Sequence, residues 1–184
     1  MLISFFIIVL KYGYVDFIMT KEKPFSDKVF VKRIPKKGYA VFATRPFRKG
    51  EVIVPMRGKI LTRQQANKCS RYQQDHMYTI GKNKYLLCTY PDKYINHSCS
   101  PNVYENNRNI VALKKIKRGE ELNFHYALNV LEDFWMKCHC HAKNCTGTLK
   151  GNFFRLSKRE QKKFAPYLDK WFKKLFKKEL KNLK

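Results

Sequence analysis

Short runs of hydrophobic residues, several of them alternating with polar ones, dominate the chain from Lys28 onwards. The runs are rich in β-branched and aromatic residues, and clusters of glycine, proline and lysine separate them. They read KVFVKRI, GYAVFAT, EVIVPMRGKI, YTI, KYLLC, NIVALKKI and ELNFHYAL. This pattern is typical of short strands joined by turns, and it predicts a mostly β domain. Inside it, LTRQQANKCSRYQQ has the character of a helix, with Thr62 suited to the N-cap.

A helical pattern begins after residue 151. Ser157 and Glu160 have the spacing of a capping box, and Pro166 should interrupt the helix near its first turns. The apolar positions that follow recur at helical spacing: Phe164, Leu168, Trp171, Phe172, Leu175, Phe176, Leu180 and Leu183. The opposite face is rich in lysine. We favour a helix packed on the domain, with a membrane surface or a calmodulin-type partner as the alternative.

The N-terminal residues are apolar but short. Ten mostly apolar residues precede Lys11, which is too few to span a bilayer. There is no basic region or small-residue cleavage site typical of a signal peptide. We expect no transmembrane span, and Met19 is an alternative start of translation because MTKEKPFSDK resembles the beginning of a soluble protein.

The chain is strongly basic. Its 39 Lys and Arg against 14 Asp and Glu give a formal net charge of +25. This charge favours phosphate backbones and other acidic surfaces. Because the excess is spread along the chain, it predicts nonspecific contact with nucleic acid rather than a specific site, and it says nothing about the chemistry of the protein.

The cysteine pattern predicts a metal cluster. Six cysteines occur at positions 69, 88, 99, 138, 140 and 145, and three of them crowd into CHCHAKNC. This spacing fits a zinc site better than a disulfide framework, so we expect an intracellular, reducing compartment. Cys138, Cys140 and Cys145 supply three of the four ligands that tetrahedral zinc prefers. The fourth is Cys99 or a histidine, the alternative for Cys99 being a small buried apolar residue.

Four motifs together resemble one family. YINHSCSPN at 94–102 is followed by GEELNFHY and then by CHCHAKNC, and KKGYAVFATRPFRKGEVI lies upstream. This order resembles the SET-domain protein lysine methyltransferases with a post-SET zinc segment, over about Lys28 to Gly151. The resemblance implies a mostly β SET fold with a knot-like core, a zinc-bound post-SET segment and a C-terminal amphipathic helix. It also implies that Cys99 completes the zinc site.

The resemblance assigns the methyl donor, S-adenosyl-L-methionine, to particular residues. Gly38, Tyr39 and Ala40 resemble the G-x-G stretch whose backbone approaches the donor, although Ala40 replaces the second glycine. Asn96 and His97 match the pair that holds the donor, largely through backbone and amide hydrogen bonds.

The resemblance also assigns the lysine side of the site. Tyr126 matches the catalytic tyrosine at the point of methyl transfer, where its hydroxyl also contacts the donor. Phe124 matches the position that tunes the number of methyl groups, and phenylalanine favours di- or trimethylation. Tyr78 is similar to an aromatic residue of the lysine channel, with a core strand aromatic as the alternative. We expect His125 to point outward at the surface.

The implied function is transfer of methyl groups to a lysine of a protein, and the expected substrate is a histone or another chromatin-associated basic protein. The expected location is nuclear in a eukaryote and cytoplasmic otherwise. The alternative is a non-catalytic, zinc-stabilised SET-like module that binds DNA or nucleosomes. On this basis we divide the chain into an N-terminal extension (1–27), the SET domain (28–130), the post-SET zinc segment (131–151) and a basic amphipathic helical tail (152–184).

Overall fold

The computed structural model describes residues 23–24, 26–35 and 37–183. The predictions about the N-terminal residues, including the alternative start at Met19, lie outside the described residues. Among the described residues, no helix is long and apolar enough to cross a membrane.

Short strands make up most of the domain, as the sequence pattern predicts. They are β1 Lys23–Pro24, β2 Val29–Ile34, β3 Gly38–Ala43, β4 Val52–Pro55, β5 Gly58–Thr62, β6 Met77–Gly81, β7 Lys84–Cys88, β8 Asn96–His97, β9 Val103–Asn106, β10 Asn109–Ala112, β11 Asn123–Phe124, β12 Trp135–Lys137 and β13 Thr148–Lys150. Three antiparallel sheets have the strand orders β1-β2-β3, β4-β10-β9 and β5-β7-β6. The other two are strand pairs, β8 with β11 and β12 with β13.

The main core lies between the small sheets. The three antiparallel sheets and the segments that connect them contribute fully or nearly fully buried aliphatic side chains to one cluster, including Val29, Val41, Ile53, Leu86, Ile110, Ile116 and Leu122. These are the apolar positions of the strand patterns, and burying a side chain of this size stabilises the fold by about 1.5–3 kcal/mol. The mostly β domain predicted from the sequence is therefore confirmed.

The helix predicted around residues 61–74 is present in two pieces. Helix α1 spans Arg63–Asn67 and α2 spans Arg71–Gln74. Thr62 caps α1 as predicted, and its hydroxyl accepts a hydrogen bond from the Gln65 amide at 3.3 Å. Ser70 caps the second helix in the same way. A second N-cap inside the segment explains why one helix becomes two.

The tail after residue 151 packs on the domain. It contains α3 Lys158–Phe164, α4 Lys170–Leu175 and α5 Lys177–Lys181, with 3₁₀ turns at Phe153–Arg155 and Ala165–Tyr167. The second 3₁₀ turn contains Pro166, which cannot donate a backbone hydrogen bond and so ends α3 as predicted. Six buried residues join the tail to the domain in a second core: Leu128, Phe153, Phe164, Leu168, Phe172 and Leu183. This supports the tail as a cover of the domain rather than a membrane-surface helix.

Candidate active site

A parallel strand pair brings the two central motifs together. Strands β8 and β11 pair with Asn96 opposite Asn123 and His97 opposite Phe124. The Ser98 amide also donates to the Phe124 carbonyl at 2.8 Å. Because the paired residues are 27 positions apart, this contact is a tertiary one. It places the segment NHSC directly beside NFHY, as the resemblance implies.

Asn102 holds this pair in place, a role that the sequence analysis did not assign. Its side chain is 4% exposed. The amide oxygen accepts from the Asn123 backbone at 2.8 Å, and the amide nitrogen donates to the Glu121 carbonyl at 2.7 Å. A buried side chain that satisfies backbone groups in this way orders the segment it contacts. The signal available in the sequence was an asparagine directly after Pro101, inside the motif.

Asn96 links the motif to the strand predicted to approach the donor. Its amide donates to the Tyr39 carbonyl at 3.0 Å and to the Glu121 carboxylate at 3.2 Å. The Tyr39 ring packs on Tyr94, with 4.8 Å between the ring centroids. The structure thus brings together Asn96 and the Gly38–Ala40 stretch. Tyr94 and Glu121 are further members of this region that the sequence analysis did not single out.

The first residues of β3 differ in their surroundings. Gly38 has a φ of +90°, a conformation that glycine adopts without strain, and a cavity of about 480 Å³ opens beside it. Ala40 is completely buried. The methyl group that replaces a glycine hydrogen at Ala40 therefore lies in the packed interior and does not line an open surface.

Tyr126 is held at both ends. Its backbone amide donates to His97 Nδ1 at 3.3 Å, and its hydroxyl donates to the Ile95 carbonyl at 3.0 Å. Burial, together with the nearby Glu121 carboxylate, raises the pKa of Tyr126 to about 12. The phenol is therefore neutral at physiological pH. Its hydroxyl proton is directed at Ile95, and the remaining lone pair can accept weak contacts from a methyl group.

The two residues predicted to line the lysine channel are neighbours. The rings of Tyr78 and Phe124 lie 5.5 Å apart, centroid to centroid. Phe124 is buried and Tyr78 is partly buried, and burial raises the pKa of the Tyr78 hydroxyl well above its usual value. Both pack in the cluster that Tyr126 contacts. The arrangement is compatible with a channel and with a core aromatic, so the role of Tyr78 stays a prediction.

The expectation for His125 is wrong. Its side chain is 2% exposed, and its ring lies 4.9 Å from that of His97 and 5.2 Å from that of Phe164 in the tail. Burial lowers the pKa of His125 to about 4, so the imidazole is neutral. The outward position would require a solvent-facing strand, but the tail covers this side of β11.

Four side chains form a group that could hold a metal ion. The ligand atoms of His97, Cys99, Cys138 and Cys140 all lie within 4.8 Å of one another. Cys99 Sγ lies 3.9 Å from Cys138 Sγ, and the Cys99 amide donates to Cys140 Sγ at 3.4 Å. Cys145 packs against the same cluster, and its thiol donates to the Cys138 carbonyl at 3.8 Å.

The cluster thus offers five candidate ligands, whereas a tetrahedral zinc site binds four. His97 Nδ1 accepts the Tyr126 amide hydrogen, so in the neutral ring the proton resides on Nε2, which lies 3.4 Å from Cys99 Sγ. A protonated Nε2 cannot bind zinc. This argument favours the four cysteines, with His97 donating to the Cys99 sulfur.

The chemistry of the cluster suits zinc. Burial acts to raise the pKa of Cys140, but backbone hydrogen bonds at Cys99 and Ala142 and the neighbouring thiols lower it to about 6. Cys140 is therefore largely deprotonated at neutral pH, and the thiolate is the form that binds metal. Burial and the neighbouring sulfurs raise the pKa of Cys99, a penalty that a divalent cation would offset. Cys88, a buried free thiol outside this group, has its pKa raised to about 12 by burial.

Comparison with known proteins identifies the domain. Residues 38–127 match the family model described as SET domain. This chain contains a SET domain. The match includes β3, both strands of the parallel pair and Tyr126, whereas Cys138, Cys140 and Cys145 lie beyond it.

Relatives of the SET domain are found in larger proteins. A variant-silencing SET domain-containing protein of Plasmodium falciparum (isolate 3D7) is 30% identical over 145 residues, which cover 67% of this chain and 6% of that protein. The H3 lysine-36 specific histone-lysine N-methyltransferase of Coccidioides immitis (strain RS) is 30% identical over 141 residues, which cover 67% of this chain and 14% of that protein. The chain therefore spans a small part of the curated relatives it matches.

A solved structure has the same fold. The methyltransferase domain of human histone-lysine N-methyltransferase SETMAR matches with a TM-score of 0.51 and 20% sequence identity. The match covers 66% of this chain and 57% of that chain. It supports the SET fold predicted from the sequence motifs.

Proposed function

We propose that this protein transfers methyl groups from S-adenosyl-L-methionine to a lysine side chain of a protein. The observation that carries the proposal is the pairing of β8 with β11 inside the SET domain, which joins Asn96, His97 and Tyr126 in one site. The names of several relatives as histone-lysine methyltransferases support the same activity.

The donor is proposed to lie between β3 and the NHSC segment. When bound, S-adenosyl-L-methionine supplies a methyl group on a sulfonium sulfur, ready for in-line displacement by a neutral amine. The backbone of Gly38, Tyr39 and Ala40 would approach it, and Asn96 and His97 would hold it. Asn96 suits this role because its amide already bridges to the Tyr39 carbonyl and so fixes one wall of the pocket.

The lysine is proposed to enter a channel formed by Tyr78, Phe124 and Tyr126. A free lysine amine has a pKa near 10.4, and an apolar aromatic channel lowers it because it disfavours the ammonium form. Tyr126 is neutral and therefore aligns the methyl group rather than removing a proton. Phe124 carries no hydroxyl to crowd the amine, which favours di- or trimethylation.

Zinc is proposed to support this site through Cys99, Cys138, Cys140 and Cys145. The sulfur cluster ties the post-SET segment to the residue three positions after Asn96. Zinc would act structurally here, because a site with four thiolates leaves no open position for a substrate.

The proposed substrate is a histone or another chromatin-associated basic protein. A chain of net charge +25 gains nothing from attraction to a basic histone tail, but it does gain from the phosphates of DNA wrapped around histones. A nucleosome therefore fits the charge better than a free histone, and a nuclear location follows in a eukaryote.

The test compares two tyrosine variants. Tyr126→Phe should keep the fold and the zinc but reduce methyl transfer to nucleosomes or cell extract at least about tenfold, a loss of about 1.4 kcal/mol in the transition state. Tyr85→Phe is the matched control, because it removes a hydroxyl that donates to Glu132, outside the site. Its transfer rate should remain that of the wild type.

Two results would contradict the proposal. Full activity of Tyr126→Phe would mean that another residue aligns the methyl group. Absence of labelled lysine in wild-type reactions, together with no binding of S-adenosyl-L-methionine by calorimetry, would instead favour a non-catalytic module that binds DNA or nucleosomes.

A further inference from the structure

Two turns of the domain carry exposed positive charges, and the structure holds these turns side by side. The first contains Arg48 and Lys49, and the second contains Lys114, Lys115, Lys117 and Arg118. Phe47 and Ile116 join the turns, because they exchange backbone hydrogen bonds of 2.9 and 3.0 Å. Glu51 and Glu120 each accept from a backbone amide of their own turn at 2.9 Å. Cations that are more than 60 positions apart in the sequence are therefore neighbours in the fold.

The tail extends this charged area. Lys49 Nζ lies 5.9 Å from the centroid of the Tyr167 ring, in the 3₁₀ turn before α4. Leu113, the residue before Lys114, packs in the second core with the tail. From Lys158 to Lys181, nine lysine and arginine side chains are exposed, four in α3, two in α4 and three in α5. The exposed cations of the two turns and of α3–α5 are called the basic surface below.

The charges of the basic surface are not neutralised by nearby acids. In the part of the chain that the structure describes, none of its cations forms an ion pair. Each helix has cations one turn apart, namely Lys158 and Lys162, Lys170 and Lys174, and Lys177 and Lys181. Each such pair of like charges destabilises a helix by about 0.2–0.5 kcal/mol. An anionic partner would offset this repulsion.

The groups left exposed on the tail favour a nucleic acid duplex as that partner. Phe164, Leu168 and Phe172 are buried in the second core, so they are not free to insert into a membrane or into the groove of a calmodulin-type protein. From Lys158 to Lys181, a stretch that the structure describes throughout, no aromatic side chain is exposed. Single-stranded nucleic acids bind largely by stacking on exposed rings. A surface of cations without such rings suits the regularly spaced phosphates of a duplex.

We propose that the basic surface binds the phosphate backbone of duplex DNA without reading its sequence. The tail at 152–184 then binds DNA as well as covering the core of the domain. Phosphate contacts orient a protein on a duplex but carry no sequence information. On a nucleosome, this contact would hold the DNA while a lysine of the same particle enters the transfer site. That consequence rests on the proposed function, whereas DNA binding can be measured without activity.

The first experiment measures binding of the full chain to a short DNA duplex by fluorescence anisotropy at several salt concentrations. The tail variant carries Lys162→Gln, Lys170→Gln, Lys174→Gln and Lys178→Gln, at exposed positions where glutamine preserves helix propensity. Each phosphate contact contributes about 0.9 to the slope of log affinity against log salt concentration. The tail variant should therefore lower that slope by about 2–4 and weaken binding at least about tenfold.

The matched control removes the same charge outside the basic surface. It carries Lys59→Gln, Lys68→Gln, Lys82→Gln and Lys84→Gln, all at exposed positions. Its affinity should fall less than about threefold, since only the general field of the protein changes. Both variants should unfold in urea as the wild type does, because the replaced side chains are exposed. Equal losses of affinity in the two variants would mean that binding follows net charge alone, and would overturn the proposal.

A second measurement needs no variant. Lysines of the wild-type chain are acetylated with and without the duplex, and the modified positions are identified by mass spectrometry. The duplex should slow modification of Lys114, Lys162 and Lys174 but not of Lys59 and Lys82. Equal protection of all five lysines contradicts the proposal. Tighter binding to phosphatidylserine vesicles than to the duplex would overturn it in favour of a membrane surface.

The catalytic consequence is tested separately. The tail variant should raise KM for nucleosomes about fivefold or more, with kcat and the kinetics on free histone protein unchanged. A wild-type protein that transfers no methyl groups contradicts the proposed function, and duplex binding then still decides whether the basic surface binds DNA. An active tail variant that loses duplex binding but keeps the wild-type KM for nucleosomes would overturn the link between DNA binding and methylation.

Discussion

The buried carboxyl group of Glu105 should make the stability of the protein depend on pH. Burial, and then the hydrogen bond with the Asp169 carboxyl, raises the pKa of Glu105 to about 8 from the ordinary value of 4.5. The folded protein therefore keeps a proton that the unfolded chain releases. The perturbation that isolates this effect is Glu105→Gln, because the introduced amide has nearly the same shape and cannot ionise.

The sign and size follow from proton binding. A carboxyl with a raised pKa contributes its full stability below pH 4.5, and this stability is lost as the pH rises through 8. Over the whole pH range the free energy of unfolding falls by at most about 5 kcal/mol, and between pH 6 and pH 8 it falls by about 2 kcal/mol. Glu105 accepts from both the Arg108 amide and the Asn129 side chain, whereas glutamine has a single acceptor oxygen, so the variant should also lose about 1 kcal/mol at every pH.

The assay is chemical unfolding of both proteins between pH 5.5 and pH 9, at constant zinc and reductant. Titration of the cysteines and lysines cancels in the difference between the two proteins. Because the introduced amide is neutral at every pH, as the protonated carboxyl is, the variant should be about 1 kcal/mol more stable than the wild type at pH 6, and this difference should grow to about 3 kcal/mol by pH 8. Glu179→Gln, at an exposed position of α5, is the control and should follow the wild type. Parallel curves for wild type and Glu105→Gln would show that Glu105 is ionised throughout, and the reasoning would fail.

Two further predictions test the tail and the zinc cluster. Phe172→Ala, at a completely buried position, should reduce the free energy of unfolding by about 3–5 kcal/mol. Leu175→Ala, at a position 41% exposed, is the control and should reduce it by less than about 1 kcal/mol. Similar losses for the two variants in urea unfolding would mean that the tail is not packed on the domain. Zinc removal or Cys99→Ser should weaken the binding of the methyl donor, measured by calorimetry. The reason is that His97 Nε2 lies 3.4 Å from the Cys99 sulfur, while His97 Nδ1 accepts from the Tyr126 amide. Cys88→Ser, outside the cluster, is the control and should leave donor binding unchanged. Unchanged donor affinity in the metal-free protein would contradict that coupling.

Local features of the structure could be predicted from the sequence. The strand patterns and the N-cap at Thr62 depend on residues close together in the chain, and they appear where expected. The candidate site residues were also identifiable, because Asn96, His97 and Tyr126 stand in short motifs whose order resembles a family. Their roles at the donor and at the lysine remain predictions.

Contacts between distant segments could not be predicted in the same way. His125 directly follows β11, and the family resemblance suggested an outward side chain, but the tail buries it against Phe164. Cys145 and His97 are both near the zinc cluster, and only the hydrogen bond from the Tyr126 amide gives a reason to prefer the cysteine.

The sequence by itself determined the types of elements, their order and the residues able to do chemistry, because hydrophobic periodicity, capping and motif spacing are local properties. Only the tertiary structure decided which of these residues meet. Asn129 is hydrogen-bonded to Asp169, 40 positions later, and to Glu105, 24 positions earlier. No local sequence pattern predicts such a contact, since it depends on how the tail packs over the strands. The physical reason is that a buried polar side chain is tolerable only where distant groups complete its hydrogen bonds.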